Sequence, residues 1–143
     1  MDKPVWEFRI VRRVQFYETD AAGIVHFSWF FRYMEEAEHA MWRSAGLSIH
    51  TRGSEIGFPR VSASCDFFSP LHFEDEFAIR LRIAAMTRKT IRYHGLLTQG
   101  DVKIAAGSIT VACVRRLPDE RMAAIEIPPE IAARFQVAPD VEA

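Results

Sequence analysis

The sequence is poor in cysteine, has no marked excess of charge of either sign, and contains no long apolar run. Two cysteines occur in 143 residues, and 18 lysines and arginines are balanced by 19 aspartates and glutamates. This balance gives no general electrostatic reason to expect nucleic acid or an anionic membrane as a partner. A disulfide between Cys65 and Cys113 stays open, but buried free thiols in a reducing cytoplasm are the simpler interpretation.

Targeting and membrane-spanning segments are also missing. The start, Met1-Asp2-Lys3-Pro4, lacks the apolar segment of a secretory signal, and nowhere do about 18 apolar residues follow one another. We therefore expect a cytoplasmic protein without a membrane partner. The length predicts one domain, over residues 1–143, that is large enough to bury its own core.

Several common catalytic and metal-binding patterns are absent. The five histidines lack the spacing of zinc ligands and there is no Cys-x-x-Cys pair, so no metal site is expected. Cys65 lies in an apolar strand-like segment without an adjacent base, which does not favour a thiol nucleophile. Neither a Gly-x-Ser-x-Gly motif nor a glycine-rich phosphate loop occurs.

The most extended regular pattern predicts a central helix from Ser28 to about Ala45. Ser28 is a suitable N-cap, and Gly46 is a suitable C-terminal glycine. Apolar residues recur at steps of three and four, the spacing of one helical face: Phe27, Phe30, Phe31, Met34, Ala37, Met41 and Ala45. Further aromatic side chains widen this surface, so we expect the helix to be covered on most sides.

Alternating apolar residues predict strands on either side of this helix. The predicted strands are Trp6–Tyr17, Val61–Ser69, Glu76–Met86, Thr90–Thr98 and Val102–Arg116. Tight turns between successive strands imply antiparallel neighbours, which gives a two-layer α+β domain. The tail after Leu117 is expected to lie along the surface.

Small residues in the alternation are expected on the outer face of the sheet. They are Ser62, Ser64, Ala78, Ala105 and Gly107. Such a face favours packing of a second subunit, so a homo-oligomer is expected.

One carboxylate, Asp20, stands just ahead of the helix. Ala21, Ala22 and Gly23 follow it and leave open space, and the chain then enters the helix N-terminus, whose free N–H groups favour an anion. An acid beside free N–H donors is half of a site that cleaves carbonyl compounds. The competing interpretation is a turn-forming aspartate that bonds its own backbone.

The segment Phe16–Val25, FYETDAAGIV, followed by a long helix with Arg32-Tyr33, resembles the hotdog-fold acyl-CoA thioesterases of the 4-hydroxybenzoyl-CoA thioesterase type. The similarity extends from about Trp6 to Ile131. Further matches are Ala37, Phe67-Phe68-Ser69-Pro70 with Asp75, Arg88-Lys89-Thr90 and Ala124-Ile125-Glu126-Ile127-Pro128. The resemblance implies a hotdog fold, in which a five-stranded antiparallel sheet wraps around one long central helix.

The resemblance also implies an activity. This is hydrolysis of an acyl-CoA or acyl-carrier thioester to the free acid and the thiol, without a metal or organic cofactor. Asp20 corresponds to the family's catalytic carboxylate, as nucleophile or general base, and the backbone N–H of Phe27 corresponds to the oxyanion donor. The implied substrate contacts are Gly23, His26, Arg88, Lys89 and Thr90, and Arg88 and Lys89 lie in a turn where the family binds coenzyme A phosphates. We expect a dimer or, as a dimer of dimers, a homotetramer.

Departures from the family pattern bear on the acyl group. Relatives often carry Asn and Tyr where this chain has Trp29 and Phe30, and some carry a histidine at the position of Phe27. The surroundings of the acyl group are therefore more apolar than in those relatives, which favours an aromatic or medium-length acyl group.

Alternative functions stay open at this point. One is a hotdog protein that binds an acyl thioester without cleaving it, and another is a hotdog dehydratase or hydratase. Glu36 or Glu38, if it faced inward from the helix, would be a second candidate for the catalytic acid.

Overall fold

One long helix lies against a five-stranded antiparallel sheet in the computed structural model, which describes residues 3–139. The predicted single domain over 1–143 includes residues 1–2 and 140–143, which lie outside the described residues. In chain order the elements are β1 (Glu7–Arg13), a 3-10 turn (Phe16–Glu18), α1 (Trp29–Ser44), β2 (Ile56–Gly57), β3 (Arg60–Phe67), β4 (Glu76–Met86), β5 (Thr90–Gln99), β6 (Val102–Ala112), β7 (Val114–Arg116), β8 (Met122–Ala124) and α2 (Pro129–Ala132).

The sheet order is β1-β4-β5-β6-β3, and every neighbouring pair is antiparallel. A smaller sheet has the order β2-β7-β8. The predicted α+β class and the hotdog arrangement are therefore confirmed. Among residues 3–139, neither helix combines the length and apolarity that crossing a membrane requires.

Two predicted strands differ most from the observed ones. The first ends at Arg13 rather than Tyr17, because residues 16–18 form a 3-10 turn in which the Gln15 N–H donates to the Glu18 carboxylate. The last is interrupted at Cys113, whose N–H donates to the Lys89 carbonyl outside the ladder of β6.

The tail contributes to the core, which corrects the expectation that it lies along the surface. Phe135 is 5% exposed, and its ring centroid lies 5.0 Å from that of Trp42 on α1. Arg134 donates a hydrogen bond of 2.6 Å to the carbonyl of Ala45. That carbonyl is at the C-terminal end of α1, where acceptors lack helical partners and a cation is favoured.

Two glycines in the centre of the sheet allow the helix to approach it closely. Gly95 on β5 pairs with Gly107 on β6, and both face Met34 of α1. A Cβ atom at Gly95 would lie 2.7 Å from the Met34 Sδ, and one at Gly107 would lie 2.7 Å from the carbonyl oxygen of Ser64. The absence of side chains at these two positions fixes the depth at which α1 packs.

This placement corrects the expectation that Ala105 and Gly107 lie on the outer face. Ala105 pairs with Leu97, and both are fully buried in the core with the helix. The register irregularity between Leu97 and Thr98 sets which residues of β6 point inward. Two of the five small residues that favoured packing of a second subunit, Ala105 and Gly107, therefore do not lie on the outer face.

Replacing Gly107 with alanine is expected to destabilise the fold by about 2–3 kcal/mol. The added methyl group would press on the Ser64 backbone, which cannot move aside as a flexible side chain can. Urea unfolding measures the change. Gly57→Ala is the control, since its Cβ would meet only Val114 Cγ2, at 4.0 Å, and should change stability by less than about 0.5 kcal/mol. Equal effects of the two substitutions would contradict this account.

Candidate active site

The loop that carries Asp20, residues 19–25, is a tight turn closed by backbone hydrogen bonds. The Asp20 N–H donates to the Ile24 carbonyl at 2.8 Å, and the Gly23 N–H donates to the Asp20 carbonyl at 2.9 Å. Thr19 and Val25 form an antiparallel bridge at its base. Gly23 has a φ of +82°, a backbone conformation that glycine adopts without strain.

One of the two Asp20 carboxylate oxygens accepts hydrogen bonds within this turn. Oδ1 accepts the N–H of Ala22 at 2.8 Å and, more weakly, that of Ile24 at 3.4 Å. Within residues 3–139, Oδ2 accepts no hydrogen bond. Asp20 is therefore held in place as a turn-forming aspartate, and its other carboxylate oxygen has no donor among the described residues.

Asp20 opens onto an apolar cleft of about 440 Å³. The turn is held beside the segment that follows β3, because the Val25 N–H donates to the Leu71 carbonyl and Ile24 bridges to His72. Nine residues line the cleft: Asp20, Ile24, Val25, Phe27, Phe30, Phe67, Phe68, Ser69 and Pro70. Only two of these side chains, Asp20 and Ser69, are polar.

The backbone N–H of Phe27, at the entrance of α1, has no protein acceptor in the part of the chain that the structure describes. The N–H groups on either side are used, since His26 donates to the Glu18 carbonyl at 2.9 Å and Ser28 donates to His26 Nδ1 at 3.2 Å. Free N–H groups at a helix entrance attract negative charge. Phe27 also lines the cleft, so an acid and a free donor belong to the same site.

Two of the predicted contacts lie near the cleft without lining it. Gly23 forms the turn described above, and His26 bonds Ser28 through both the N–H and the hydroxyl, the latter at 2.8 Å. Neither is among the residues that line the cleft. Their assignment to the substrate stays a prediction, and their visible role is to shape the loop.

The basic turn lies at the other end of the sheet. Arg88 and Lys89 connect β4 to β5, Thr90 bonds Thr87, and Arg88 pairs with Glu126 at 3.3 Å. β4 has 11 residues, so its two ends are separated by about 35 Å. The end near the Asp20 loop is the one at which β4 pairs with Arg13. A single chain therefore does not bring Arg88, Lys89 and Thr90 to Asp20.

The helix glutamates are neutralised by arginines. Glu38 does face inward, at 2% exposed, and both its oxygens accept hydrogen bonds from Arg60, at 2.5 and 3.1 Å. Glu36 pairs with Arg12 at 2.7 Å. Neither carboxylate lines the cleft with Asp20, so the structure gives no support for a second catalytic acid there.

Both cysteines are free thiols, which answers the question of a disulfide. Burial and the nearby Asp66 raise the pKa of Cys65 to about 11, so its reactive thiolate is scarce at neutral pH. No three His, Cys, Asp or Glu side chains among residues 3–139 are close enough together to hold a metal ion.

The far wall of the cleft was not predicted from the sequence. Phe67, Phe68, Ser69 and Pro70 were noted only as matches to the family, and their approach to Asp20 depends on long-range packing. Phe30 meets Phe67 edge to face, with 5.1 Å between the centroids. A cation also stands nearby, since Lys103 Nζ lies 4.5 Å from the centroid of Phe68.

Comparison with known proteins gives the family. Residues 14–135 match the Thioesterase-like superfamily. A 1,4-dihydroxy-2-naphthoyl-CoA hydrolase of Synechococcus sp. (strain WH7803) is 30% identical over 112 residues, which is 71% of this chain and 72% of the relative.

Solved structures agree with this match. A protein of Aquifex aeolicus has a TM-score of 0.83 and 32% identity, and the match covers 90% of this chain and 99% of that protein's chain. A gentisyl-coenzyme A thioesterase has a TM-score of 0.80 and 29% identity over 90% of this chain and 99% of its own. The chain belongs to the thioesterase-like superfamily, as a hotdog-fold thioester hydrolase of the acyl-CoA thioesterase type.

Proposed function

We propose that this chain hydrolyses the thioester of an aromatic acyl-CoA, with Asp20 as nucleophile or general base and the Phe27 N–H as oxyanion donor. The observation that carries the proposal is that the same apolar cleft is lined by Asp20, a carboxylate, and by Phe27, whose backbone N–H has no protein acceptor within residues 3–139. A preorganised donor of this kind is typically worth about 3 kcal/mol of transition-state stabilisation.

The reaction can follow either of two routes from this geometry. As general base, Asp20 takes a proton from water, and the resulting hydroxide adds to the thioester carbonyl. As nucleophile, Asp20 itself adds to the carbonyl, and water later hydrolyses the acyl anhydride. In both routes the Phe27 N–H receives the oxyanion, and the C–S bond then breaks to release the coenzyme A thiolate, which takes up a proton.

The lining of the cleft favours an aromatic acyl group. Phe27, Phe30, Phe67 and Phe68 provide ring edges and faces, and aromatic pairs prefer such offset or edge-to-face contacts. Two relatives act on aromatic acyl thioesters by name, 1,4-dihydroxy-2-naphthoyl-CoA and gentisyl-coenzyme A. Ser69 is the cleft's hydroxyl and could bond a polar substituent of the ring.

The functional unit that we propose contains at least two copies of the chain. The cleft walls Phe27, Phe67 and Phe68 are 62, 49 and 52% exposed, and β3 is an edge strand whose Val61 is 60% exposed. A second copy would cover these apolar groups and pair the free edge. It is also required if Arg88 and Lys89 bind coenzyme A phosphates at the Asp20 cleft, because the two lie at opposite ends of one sheet.

A substrate panel tests the proposed function. Thiol release should be fastest, by kcat/KM, with hydroxylated benzoyl-CoA and naphthoyl-CoA thioesters, and at least about 10-fold slower with straight-chain acyl-CoAs of similar size. A preference for straight chains would contradict the aromatic assignment. Tight binding without thiol release would identify a binding protein, and hydration of an enoyl-CoA would identify a hydratase.

A further inference from the structure

A buried carboxylate, Glu18, lies two residues before Asp20 and has no part in the chemistry proposed above. Its side chain is fully buried, and it accepts hydrogen bonds from Arg12 at 2.7 Å, from the Tyr33 hydroxyl at 2.9 Å and from the Gln15 N–H at 2.9 Å. A second Arg12 nitrogen reaches the other carboxylate oxygen at 2.5 Å. A buried charge of this kind is costly unless it is partnered. Glu18 Oε1 accepts all three hydrogen bonds, whereas within residues 3–139 Oε2 accepts none and is stabilised by its ion pair with Arg12.

These contacts join three separate elements. Arg12 comes from β1, Glu18 from the 3-10 turn and Tyr33 from α1. The Arg12 guanidinium lies 4.6 Å from the centre of the Tyr33 ring, so the two donors also contact each other. Burial opposes ionisation of Glu18, but the hydrogen bonds from Arg12, Gln15 and Tyr33 outweigh it and lower the pKa of this carboxyl. The carboxylate is therefore charged and fixed at neutral pH.

The backbone of Glu18 connects this cluster to both reacting groups. Its carbonyl accepts the His26 N–H at 2.9 Å, one residue before the Phe27 donor. Further along, Thr19 bridges to Val25 and the Asp20 N–H donates to Ile24. The chain from Glu18 to His26 is thus a short antiparallel ribbon, with Asp20 on one arm and Phe27 just beyond the other.

We propose that Glu18, held by Arg12 and Tyr33, is a positioning residue that sets where the Asp20 carboxylate stands relative to the Phe27 N–H. The inference rests on the proposed function of Asp20 and Phe27. A displacement of about 1 Å between reacting groups can cost about 100-fold in rate. We therefore expect rigidity at the Glu18 end of the ribbon to affect turnover more than substrate binding.

The test compares two buried glutamates, each held by one arginine. In Glu18→Gln, kcat for the best thioester of the panel should fall at least about 10-fold, with KM changed less than about 3-fold. Glu38→Gln is the matched control, because Glu38 is 2% exposed and bound twice by Arg60 but has no contact with the ribbon. It should keep kcat within about 2-fold, with both variants assayed well below their unfolding temperatures.

A milder variant keeps the proposal testable if Glu18→Gln does not fold. Tyr33→Phe removes one hydrogen bond and leaves the Arg12 pair intact, and kcat should fall about 3-fold at unchanged KM. An unchanged kcat in Tyr33→Phe and in any folded Glu18→Gln, or an equal loss in Glu38→Gln, would overturn the positioning role. Full activity in Asp20→Asn would instead overturn the proposed function itself, so the two failures are distinguishable.

Discussion

Asp20→Asn is expected to lower kcat for thioester hydrolysis by at least about 100-fold, because the amide can neither take a proton from water nor attack a carbonyl. The fold should survive, since the amide oxygen can still accept the Ala22 N–H that the Asp20 Oδ1 accepts at 2.8 Å. Steady-state thiol release measures the loss, and thermal unfolding measures the stability.

Asp101→Asn is the matched control for that substitution. Asp101 lies in the turn between β5 and β6, is exposed, and does not line the cleft. Its replacement should leave kcat within about 2-fold of the wild-type value. Retention of activity in Asp20→Asn, or an equal loss in both variants, would remove Asp20 from the reaction.

Phe27→Pro is expected to lower kcat by about 100- to 1,000-fold, because proline has no N–H to donate to the oxyanion. The substitution breaks no hydrogen bond of the fold within residues 3–139, where the Phe27 N–H has no acceptor. The effect should appear in kcat rather than KM, since the oxyanion forms only in the transition state.

Phe27→Ala separates the donor from the side chain. Alanine keeps the backbone N–H and removes a ring that is 62% exposed, so kcat/KM should fall less than about 10-fold. Similar kcat values for the proline and alanine variants would show that the ring, and not the N–H, is what the reaction needs. Unfolding temperatures of both variants would exclude a general loss of structure.

Much of the architecture could be predicted from local periodicity. The steps of three and four after Ser28 predicted α1 (Trp29–Ser44), and the alternation from Glu76 to Met86 matched β4 at both ends. These patterns succeed because a side chain's face is set by helix or strand geometry alone. They failed at Cys113 and in the tail, where a bond to Lys89 and the packing of Phe135 on Trp42 come from distant parts of the chain.

The residues of the site likewise divide into those that are neighbours in sequence and those that only the fold brings together. Asp20, Gly23 and the helix entrance at Phe27 are neighbours in sequence, so the motif alone predicted an acid and a free donor in one site. The far wall of the cleft is formed by Phe67–Pro70. The Glu18 end of the ribbon is held by Arg12 and Tyr33, which reach Glu18 from other elements.

The sequence by itself determined the elements and the local grouping of acid, glycine and helix start, because each depends on residues within one or two turns. Only the tertiary structure decided which aromatic rings wall the cleft, which glutamates are neutralised by arginines, and that Arg88 and Lys89 lie far from Asp20 of the same chain. These outcomes depend on strand register and on how closely Met34 packs against the sheet at Gly95 and Gly107. Register and packing depth are both set by contacts between residues far apart in sequence.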